Sequence, residues 1–306
     1  MTTANPLQIL VLGGSGFVGH HLCQALSQRG HHVTVPTRRL PARSVQMLPG
    51  VSVVPADVHD AAQLRRLVQG HDAVVNLVAI LHGSASAFEA VHVRLPETLA
   101  QVCLETGVRR LVQVSALGAD ENGPSMYQRS KGRGETVLRA AADRGALDLT
   151  LLQPSVIFGR DDRFINLFAQ LQRVFPVMPL AGAATRFQPV WVGDVVTALV
   201  QCLTQRRPIG HTYELAGPEV LSLRELVQIA GRHIGCPRPV LPLPHAVGWL
   251  QALAMEWLPG PTLMSRDNLA SMQVDNVASG RHPGLADLGV SAPRRLVQVF
   301  PPDARP

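Results

Sequence analysis

Short apolar runs alternate with longer segments of helical periodicity through the first half of the chain. The runs are rich in Val, Ile and Leu, which is typical of strands that a sheet buries on both faces. Six such runs occur, at 8–12, 32–35, 51–54, 72–77, 110–115 and 149–152. Apolar residues with helical spacing fill the intervals, at 20–28, 60–69, 86–106 and 125–143. This repeated strand–helix order predicts an α/β fold built on a parallel, doubly wound sheet.

Beyond residue 158 the pattern becomes irregular. Proline-rich joints separate helical segments at 162–175, 194–204, 222–234, 245–257 and 263–272. We therefore divide the chain into a sheet domain, residues 1–158, and a smaller, mostly helical C-terminal lobe, residues 159–306. A strand near 211–216 could return from this lobe to the main sheet.

A glycine-rich segment lies between the first strand and the first helix, with G-x-x-G-x-x-G spacing. In a phosphate-binding loop the first glycine permits the tight turn, the second admits a pyrophosphate, and the third packs the helix on the strand. The helix N-terminus adds free N–H groups and the positive end of its dipole. We therefore predict a Rossmann-type, NAD(P)-binding domain. Its loop comprises Gly13, Gly14, Ser15, Gly16, Phe17, Val18 and Gly19.

The residues after the second and third strands indicate which nicotinamide cofactor the site suits and how it could be held. An NAD site usually has an acid after the second strand, whereas this chain has Arg38 and Arg39, which suit a 2′-phosphate. NADP(H) is therefore favoured and NAD(H) remains possible; the alternative for the arginines is a solvent-facing pair. Asp57 follows the third strand and could accept a hydrogen bond from the adenine amine. Its alternative role is the N-cap of the helix after His59.

The chain contains a single lysine, Lys131, which follows Tyr127 by four residues. Residues at i and i+4 share a helical face and can touch. Arginine, which supplies every other basic residue, cannot replace a compact ammonium of adjustable pKa. The pair therefore suggests acid–base chemistry beside a nicotinamide cofactor. The alternative is a surface helix pair that contributes about 0.2–0.5 kcal/mol.

Composition argues against several functional classes. Hydrophobic residues make up 46% and charged residues 16% of the 306 residues, which predicts a globular chain. The net charge of +6 comes from scattered arginines, so nucleic-acid binding is not expected. The four cysteines are far apart, and His20-His21 and His31-His32 are too close in sequence to share one face as ligands. No metal site is therefore expected. No segment resembles a signal peptide or reaches the length of a transmembrane span.

Several motifs together resemble the short-chain dehydrogenase/reductase superfamily. They are Gly13-x-x-Gly16-x-x-Gly19, Asp57-Val58, Asn76-Leu77-Val78-Ala79, Ser115 and Tyr127-x-x-x-Lys131. The segments 154–159 and 190–196 are similar to segments of its extended and atypical branches. The likeness is strongest to the branch that includes the nucleotide-binding accessory subunit of respiratory complex I and its bacterial relatives. S-A-L-G-A-D at 115–120, S-K-G-R-G-E at 130–135, Y-E-L-A-G-P at 213–218 and L-P-G-P at 258–261 carry it.

The resemblance implies a role for each residue of the site. Tyr127 would be the general acid of carbonyl reduction, or the base of the reverse reaction. Lys131 would lower the pKa of the tyrosine and bind the nicotinamide ribose. Ser115 would donate to the substrate carbonyl; its alternative is a strand-end hydroxyl that is satisfied locally. Further cofactor contacts are implied for Asp57, Val58, Leu77, Val78, Ala79, Pro154 and Val156.

The chain also departs from the superfamily pattern. Gln153 stands where the extended enzymes usually have Arg, and His92 where many members have Asn. The interval from Ser115 to Tyr127 is 12 residues, shorter than in sugar-nucleotide epimerases and dehydratases. In the second half, Asp194 is expected to cap a helix, and residues 222–225 form a capping box.

These inferences predict an NADP(H)-binding oxidoreductase that uses Tyr127 and Lys131 on a carbonyl or hydroxyl substrate. A non-catalytic accessory or assembly factor of respiratory complex I is the alternative, and a sugar-nucleotide epimerase or dehydratase is a third. The expected partners are a nicotinamide dinucleotide, a small-molecule or quinone-like substrate, and respiratory-complex subunits. The expected location is the cytoplasm, with a peripheral position at the inner face of a membrane possible. The apolar helix at 245–258 could lie on that membrane or against a lipid-like substrate; its alternative is a core helix of the lobe.

Overall fold

A seven-stranded parallel sheet forms the centre of the protein, in a computed structural model that describes residues 5–257 and 264–302. The strands are β1 Gln8–Leu12, β2 His32–Thr37, β3 Val51–Pro55, β4 Ala73–Asn76, β5 Arg110–Val114, β6 Asp148–Pro154, β7 Ile157–Phe158, β8 Met178–Ala181, β9 Arg186–Phe187, β10 Val190–Trp191, β11 Thr212–Leu215, β12 Leu221–Ser222 and β13 Val240–Leu243. The order in the large sheet is β11-β6-β5-β4-β1-β2-β3. The predicted α/β fold with a parallel, doubly wound sheet is confirmed.

Helices cover both faces of the sheet. They are α1 Phe17–Ser27, α2 Arg43–Gln46, α3 Ala61–Val68, α4 Ala85–Glu89, α5 Leu95–Thr106, α6 Met126–Asp143, α7 Ile165–Val174, α8 Val192–Thr204, α9 Leu223–His233, α10 His245–Trp257, α11 Arg266–Ser271 and α12 Leu296–Val299. A π-helical turn, Ala90–Arg94, joins α4 to α5, and a 3-10 helix spans Leu285–Leu288. The predicted helix at 86–106 is therefore continuous but changes pitch in its middle.

Alternation along β1 shows how the sheet divides the core. Ile9 and Val11 face one side, where α1 and α8 pack, and Leu10 and Leu12 face the other, where α3, α5 and α6 pack. All four side chains are fully buried. A third apolar cluster around Phe158 forms a separate core under α7 and α9.

The second half of the chain also contributes to the core on the α1 side of the sheet. Helix α8 packs in the same cluster as α1, and β11 pairs in parallel with β6, as the sequence suggested for a strand near 211–216. The remaining elements form small sheets, in which β13 pairs with β8 and β12 with β9. The division of the chain at residue 158 stays a prediction.

Two capping predictions in this half have different outcomes. Ser222 and Glu225 form the predicted capping box at the start of α9. The prediction for Asp194 is wrong, because α8 begins at Val192 and Asp194 lies within its first turn. Its carboxylate instead accepts a hydrogen bond from the backbone N–H of Arg294 at 2.8 Å.

Helix α10 is not a core helix for most of its length. Only Gly248 and Ala252 are fully buried, whereas Leu250 is 60% exposed and Trp257 is 84% exposed. Gly248 lets the helix approach β8, since a Cβ there would lie 2.5 Å from the Cβ of Ala181. The L-P-G-P segment at 258–261 lies outside the described residues. Within 5–257 and 264–302, none of the helices combines the length and apolar composition needed to cross a membrane.

Helix α6 approaches the π-helical turn through glycine. A Cβ on Gly134 would lie 2.0 Å from the carbonyl oxygen of His92, and a Cβ on Gly132 would lie 2.5 Å from the backbone nitrogen of Glu121. Both contacts involve backbone atoms, which cannot rotate away. The two glycines of S-K-G-R-G-E therefore determine how deeply Lys131, which lies between them and Tyr127, is buried.

Gly134→Ala tests this close approach. In an exposed helix interior the change would stabilise the protein by about 1 kcal/mol through helix propensity. Here we expect it to lower the free energy of unfolding by about 1–3 kcal/mol, because the methyl group overpacks the contact with His92. Urea denaturation measures the difference. Asp143→Ala, at an exposed position of the same helix, is the control and should change stability by less than about 0.5 kcal/mol. Stabilisation by Gly134→Ala would contradict the packing described here.

Candidate functional site

The glycine loop has the geometry of a phosphate-binding turn. Gly13 has a φ of +81°, which favours glycine. A Cβ on Gly14 would lie 2.7 Å from Val35, and a Cβ on Gly19 would lie 2.3 Å from the carbonyl oxygen of Gly13. Helix α1 begins at Phe17, and its N-cap, Gly16, provides no side-chain cap. The N-terminal N–H groups of the helix can therefore bind an anion.

Arg38 and Arg39 follow β2 at the same edge of the sheet. Both are exposed, and neither forms a salt bridge within the described part of the chain. The backbone N–H of Arg39 donates to the hydroxyl of Thr37 at 3.2 Å, which shapes the turn. Two guanidinium groups without carboxylate partners can receive a phosphate.

The segments after β3 and β4 complete the predicted dinucleotide cleft. Asp57 accepts a hydrogen bond from the N–H of His59 at 3.0 Å, but the N-cap of α3 is Asp60, so the capping alternative for Asp57 is wrong. After β4, the backbone of Leu77 and Val78 lies against Gly13. The N–H of Val78 donates to the side chain of Asn76 at 3.1 Å. Val58, next to Asp57, is partly buried, and Ala79 is exposed.

Ser115, Tyr127 and Lys131 meet where β5 ends and α6 begins. Ser115 is 5% exposed, and its buried hydroxyl has no hydrogen-bond partner among the described residues. The local satisfaction that we considered for this hydroxyl is therefore absent. Lys131 is 4% exposed and its Nζ donates to the carbonyl of Val114 at 3.3 Å. The same Nζ lies 5.9 Å from the centre of the Tyr127 ring. Tyr127 and Lys131 were alternatively interpreted as a pair on the surface of a helix. That alternative is wrong for Lys131, because the lysine is buried.

Burial determines the acidity of both groups. It raises the pKa of Tyr127 to about 12, which is opposite to the direction predicted from the sequence. It lowers the pKa of Lys131 to about 8, and the nearby carboxylate of Glu135 opposes that shift. The loss of water around the phenolate outweighs the attraction of the ammonium. At neutral pH the tyrosine is therefore protonated and the lysine is charged.

His92 lies in the π-helical turn and contacts Tyr127 edge-on, with 5.5 Å between ring centres. Such turns frequently occur at functional sites. The hydroxyl of Ser130 donates to the carbonyl of Tyr127 at 2.9 Å, so it accepts from Nδ1 of His92 at 2.8 Å. Nε2 then accepts from the N–H of Ile80 at 3.2 Å. This network assigns the neutral imidazole, and burial, with the charge of Lys131 second, lowers the pKa of His92 to about 3.

Two polar side chains that the sequence did not reveal position the site from the second half. Asp267 accepts from the N–H groups of Met126 and Tyr127, at 2.6 and 3.1 Å. Asn276 accepts from the hydroxyl of Ser155 at 2.6 Å and from the N–H of Val156 at 3.1 Å. It thereby holds the segment 154–158, to which the predicted cofactor contacts Pro154 and Val156 belong.

The described part of the protein contains two cavities of different size. The smaller has a volume of about 10 Å³ and lies between His92, Ser115, Lys131 and Glu135, with room for about one water molecule. The larger, of about 730 Å³, is lined by residues between positions 182 and 273. Its lining includes Arg186, Val220, Arg224, Leu243, Leu269 and Met272. Helix α11 carries both Leu269, which lines this cavity, and Asp267, which accepts hydrogen bonds from the start of α6.

The neutral state of His92 predicts a pH dependence of stability. In the unfolded chain this histidine titrates near its ordinary pKa of 6.5, whereas in the folded protein its pKa is about 3. The unfolded state therefore binds the proton first, and stability falls as the pH falls from 6.5 toward 3. We expect the free energy of unfolding to fall by about 1–2 kcal/mol more for the native chain than for His92→Asn between pH 7 and pH 5.

Urea denaturation at the two pH values measures this difference. The exposed His59→Asn is the control, and its pH dependence should match that of the native chain. Equal pH dependence of His92→Asn and the native chain would show that His92 is not held neutral by its surroundings.

Comparison with known proteins is consistent with this geometry. The model of the NAD dependent epimerase/dehydratase family matches residues 9–216. The mouse mitochondrial NADH dehydrogenase [ubiquinone] 1 alpha subcomplex subunit 9 is 31% identical over 289 residues, which cover 92% of this chain and 75% of that protein. The ceramide reductase of Caulobacter vibrioides is 31% identical over 194 residues, or 63% of this chain and 59% of that protein.

Solved structures show the same architecture. The dTDP-glucose 4,6-dehydratase DesIV from Streptomyces venezuelae, solved with NAD and TYD bound, superposes with a TM-score of 0.69. The two chains are 25% identical, and the match covers 78% of this chain and 84% of DesIV.

Proposed function

The chain belongs to the NAD dependent epimerase/dehydratase family, the extended branch of the short-chain dehydrogenases/reductases, and from this we propose that it is an NADP(H)-dependent oxidoreductase acting on a carbonyl or hydroxyl group. The observation that carries the proposal is the convergence of Ser115, Tyr127 and buried Lys131 at one end of β5. The glycine loop lies two strands away in the same sheet, at the same edge. Ligands of doubly wound sheets bind at this edge, where the strand order reverses.

The protonation states fit carbonyl reduction. When bound, the nicotinamide ring supplies the hydride. Tyr127, with a pKa of about 12, carries the proton that the carbonyl oxygen takes up. The charge of Lys131 favours the phenolate that remains after the proton transfer. The unpaired hydroxyl of Ser115 donates to the substrate oxygen as negative charge grows on it.

The exposed arginines after β2 support NADP(H) as the cofactor. In the usual NAD site a carboxylate accepts hydrogen bonds from the ribose hydroxyls. Arg38 and Arg39 occupy the corresponding turn and have no carboxylate partner among the described residues. A 2′-phosphate supplies the oxygens that a guanidinium binds in a bidentate manner. The glycine loop, Asp57, Val58, Leu77, Val78, Ala79, Pro154 and Val156 are proposed to line the remainder of the cofactor site.

The larger cavity supports a substrate with an apolar body. Val220, Leu243, Leu269 and Met272 contribute to its lining, together with two arginines. A quinone-like or other lipid-like carbonyl compound matches these apolar walls better than a sugar does. The short interval before Tyr127 also makes sugar-nucleotide chemistry the third choice.

A non-catalytic role in respiratory complex I is the second candidate. It is favoured by the likeness to the mouse NADH dehydrogenase subunit over 92% of this chain. In that role the bound dinucleotide would stabilise the fold, and α10 would contact a partner or the surface of a membrane. The exposed Leu250 and Trp257 support such a contact, and a cytoplasmic protein bound peripherally to the inner face of a membrane fits it.

Tyr127→Phe separates the two functions. The hydroxyl is needed only for proton transfer, so we expect kcat/KM for NADPH oxidation to fall by at least about 100-fold. A short-chain quinone and an aromatic aldehyde serve as carbonyl probes. The dissociation constant of NADPH should stay within about threefold of the native value. Full turnover by the variant on a probe that the native enzyme reduces would contradict the catalytic role.

The accessory role predicts a different result in cells. If Tyr127→Phe keeps the assembly of the respiratory complex at the native level while Arg38→Asp reduces it, nucleotide binding alone is required. If both variants reduce assembly at normal protein abundance, turnover is required.

Arg38→Asp tests the cofactor assignment. The carboxylate repels a 2′-phosphate but accepts hydrogen bonds from ribose hydroxyls. We expect the dissociation constant of NADPH to rise by at least about 10-fold, which corresponds to the loss of one charge-assisted contact of about 1.4 kcal/mol. The dissociation constant of NADH should rise by less than about threefold. Fluorescence titration with each nucleotide measures both constants. Arg43→Asp is the control, because Arg43 is also exposed and lies five residues further along the chain. It should change neither dissociation constant. Unchanged NADPH affinity in Arg38→Asp would contradict the assignment.

A further inference from the structure

Two adjacent histidines on α1 lie together on one side of the helix. His20 and His21 follow Gly19 directly, and their ring centres are 4.0 Å apart with the planes tilted by 33°. The expectation that such a pair cannot share one face is therefore wrong. Neighbouring side chains on a helix leave the axis about 100° apart, and imidazoles are long enough to lean toward each other across that angle.

A carboxylate from the second half of the chain joins this pair. Asp161 lies in the loop between β7 and α7, which Gly159 allows to pack against α1. A Cβ on Gly159 would lie 3.0 Å from the ring of Phe17, one turn before His21. One potential ligand atom from each of His20, His21 and Asp161 lies within 4.8 Å of the others. In residues 5–257 and 264–302 this is the only group of three His, Cys, Asp or Glu side chains so placed.

His21, one of these three residues, has an unsatisfied ring nitrogen. Its Nε2 is buried and has no hydrogen-bond partner among the described residues. A buried polar atom without a partner destabilises the folded protein unless a ligand binds to that atom. Burial, and then the neighbouring His20, lower the pKa of His21, while Asp161 opposes the shift. Metal ions bind the neutral form of an imidazole.

We propose that His20, His21 and Asp161 bind one divalent transition-metal ion of the zinc class. Two imidazoles and one carboxylate are ligands that zinc prefers. In a tetrahedral site with bonds of about 2.0–2.1 Å the ligand atoms are about 3.3 Å apart, so the three groups need to close by at most about 1.5 Å. Asp161 is exposed and can rotate to do so. The fourth position is open to water.

The ion would connect two parts of the cofactor region. His20 and His21 belong to the helix whose N-terminus faces the phosphate-binding loop, and Asp161 belongs to the loop that follows the segment 154–158. A metal bond between them holds α1 against the second half of the chain. This assignment does not depend on the proposed oxidoreductase activity, because its first measurement is metal binding alone.

Isothermal titration of the chelator-treated, full-length protein with Zn²⁺ alone tests the site. All measurements use Cys236→Ser as the background, since Cys236 is a half-buried free thiol that could bind zinc itself. We expect one Zn²⁺ per chain with a dissociation constant in the micromolar range or below. His20→Asn, His21→Asn and Asp161→Asn should each weaken binding by at least about 10-fold.

His32→Asn is the matched control, because it belongs to the other adjacent histidine pair and is exposed; it should leave Zn²⁺ binding unchanged. Titration with Co²⁺ adds a second readout, since the visible absorption of a tetrahedral site should appear in the Cys236→Ser background and be lost when Asp161→Asn is added. Asp161 lies on an exposed loop, so this variant decides the result if a histidine variant fails to fold. No binding at one ion per chain, or equal binding by Asp161→Asn, would overturn the proposal.

Discussion

The burial of one ammonium group is the constraint on which the site depends. Lys131 is 4% exposed, and its Nζ has one backbone carbonyl, that of Val114, as its hydrogen-bond partner. A charge in such surroundings destabilises the folded protein unless other groups compensate, and its pKa of about 8 records that cost. Glu135, one turn further along α6, provides the compensating charge. The larger guanidinium of arginine would need more partners than this space offers, which explains the single lysine of an arginine-rich chain.

Close backbone contacts create this burial, and the second half of the chain maintains it. Gly132 and Gly134 let α6 approach the loop at Glu121 and the π-helical turn at His92. Asp267 then holds the first turn of α6, and Asn276 holds the segment after β6. The hydrogen bonds of Asp267 and Asn276 join parts of the chain that are 120 residues or more apart. The site therefore depends on contacts between the two halves of the chain.

Much of this fold could be predicted because its signals are local. Apolar runs predicted all six strands of the first half, and the glycine spacing predicted a turn whose Gly13 has a positive φ. The pairing of Tyr127 with Lys131 also depends on one helical turn. The functional roles of these residues remain predictions, since geometry alone does not establish turnover.

The features that could not be predicted depend on tertiary contacts. Asp267 and Asn276 act on residues more than 100 positions away, and no local pattern marks them. The pKa of Tyr127 was predicted to fall because only its charged neighbour was considered, whereas burial raises it. His20 and His21 were treated as too close in sequence to share one face, and Asp161, which lies beside them, is distant in sequence. Asp60 rather than Asp57 caps α3. The turn after β3 therefore places the N-cap three residues later than Asp57.

A crystal structure of the complex with NADPH tests the central claim most directly. The account predicts the pyrophosphate at the N-terminus of α1, the 2′-phosphate against Arg38 or Arg39, and the nicotinamide ribose within hydrogen-bond distance of Nζ of Lys131. The hydroxyl of Tyr127 should then face the same side of the nicotinamide ring as Ser115. A dinucleotide bound away from the glycine loop, or one whose nicotinamide end points away from Lys131, would contradict it.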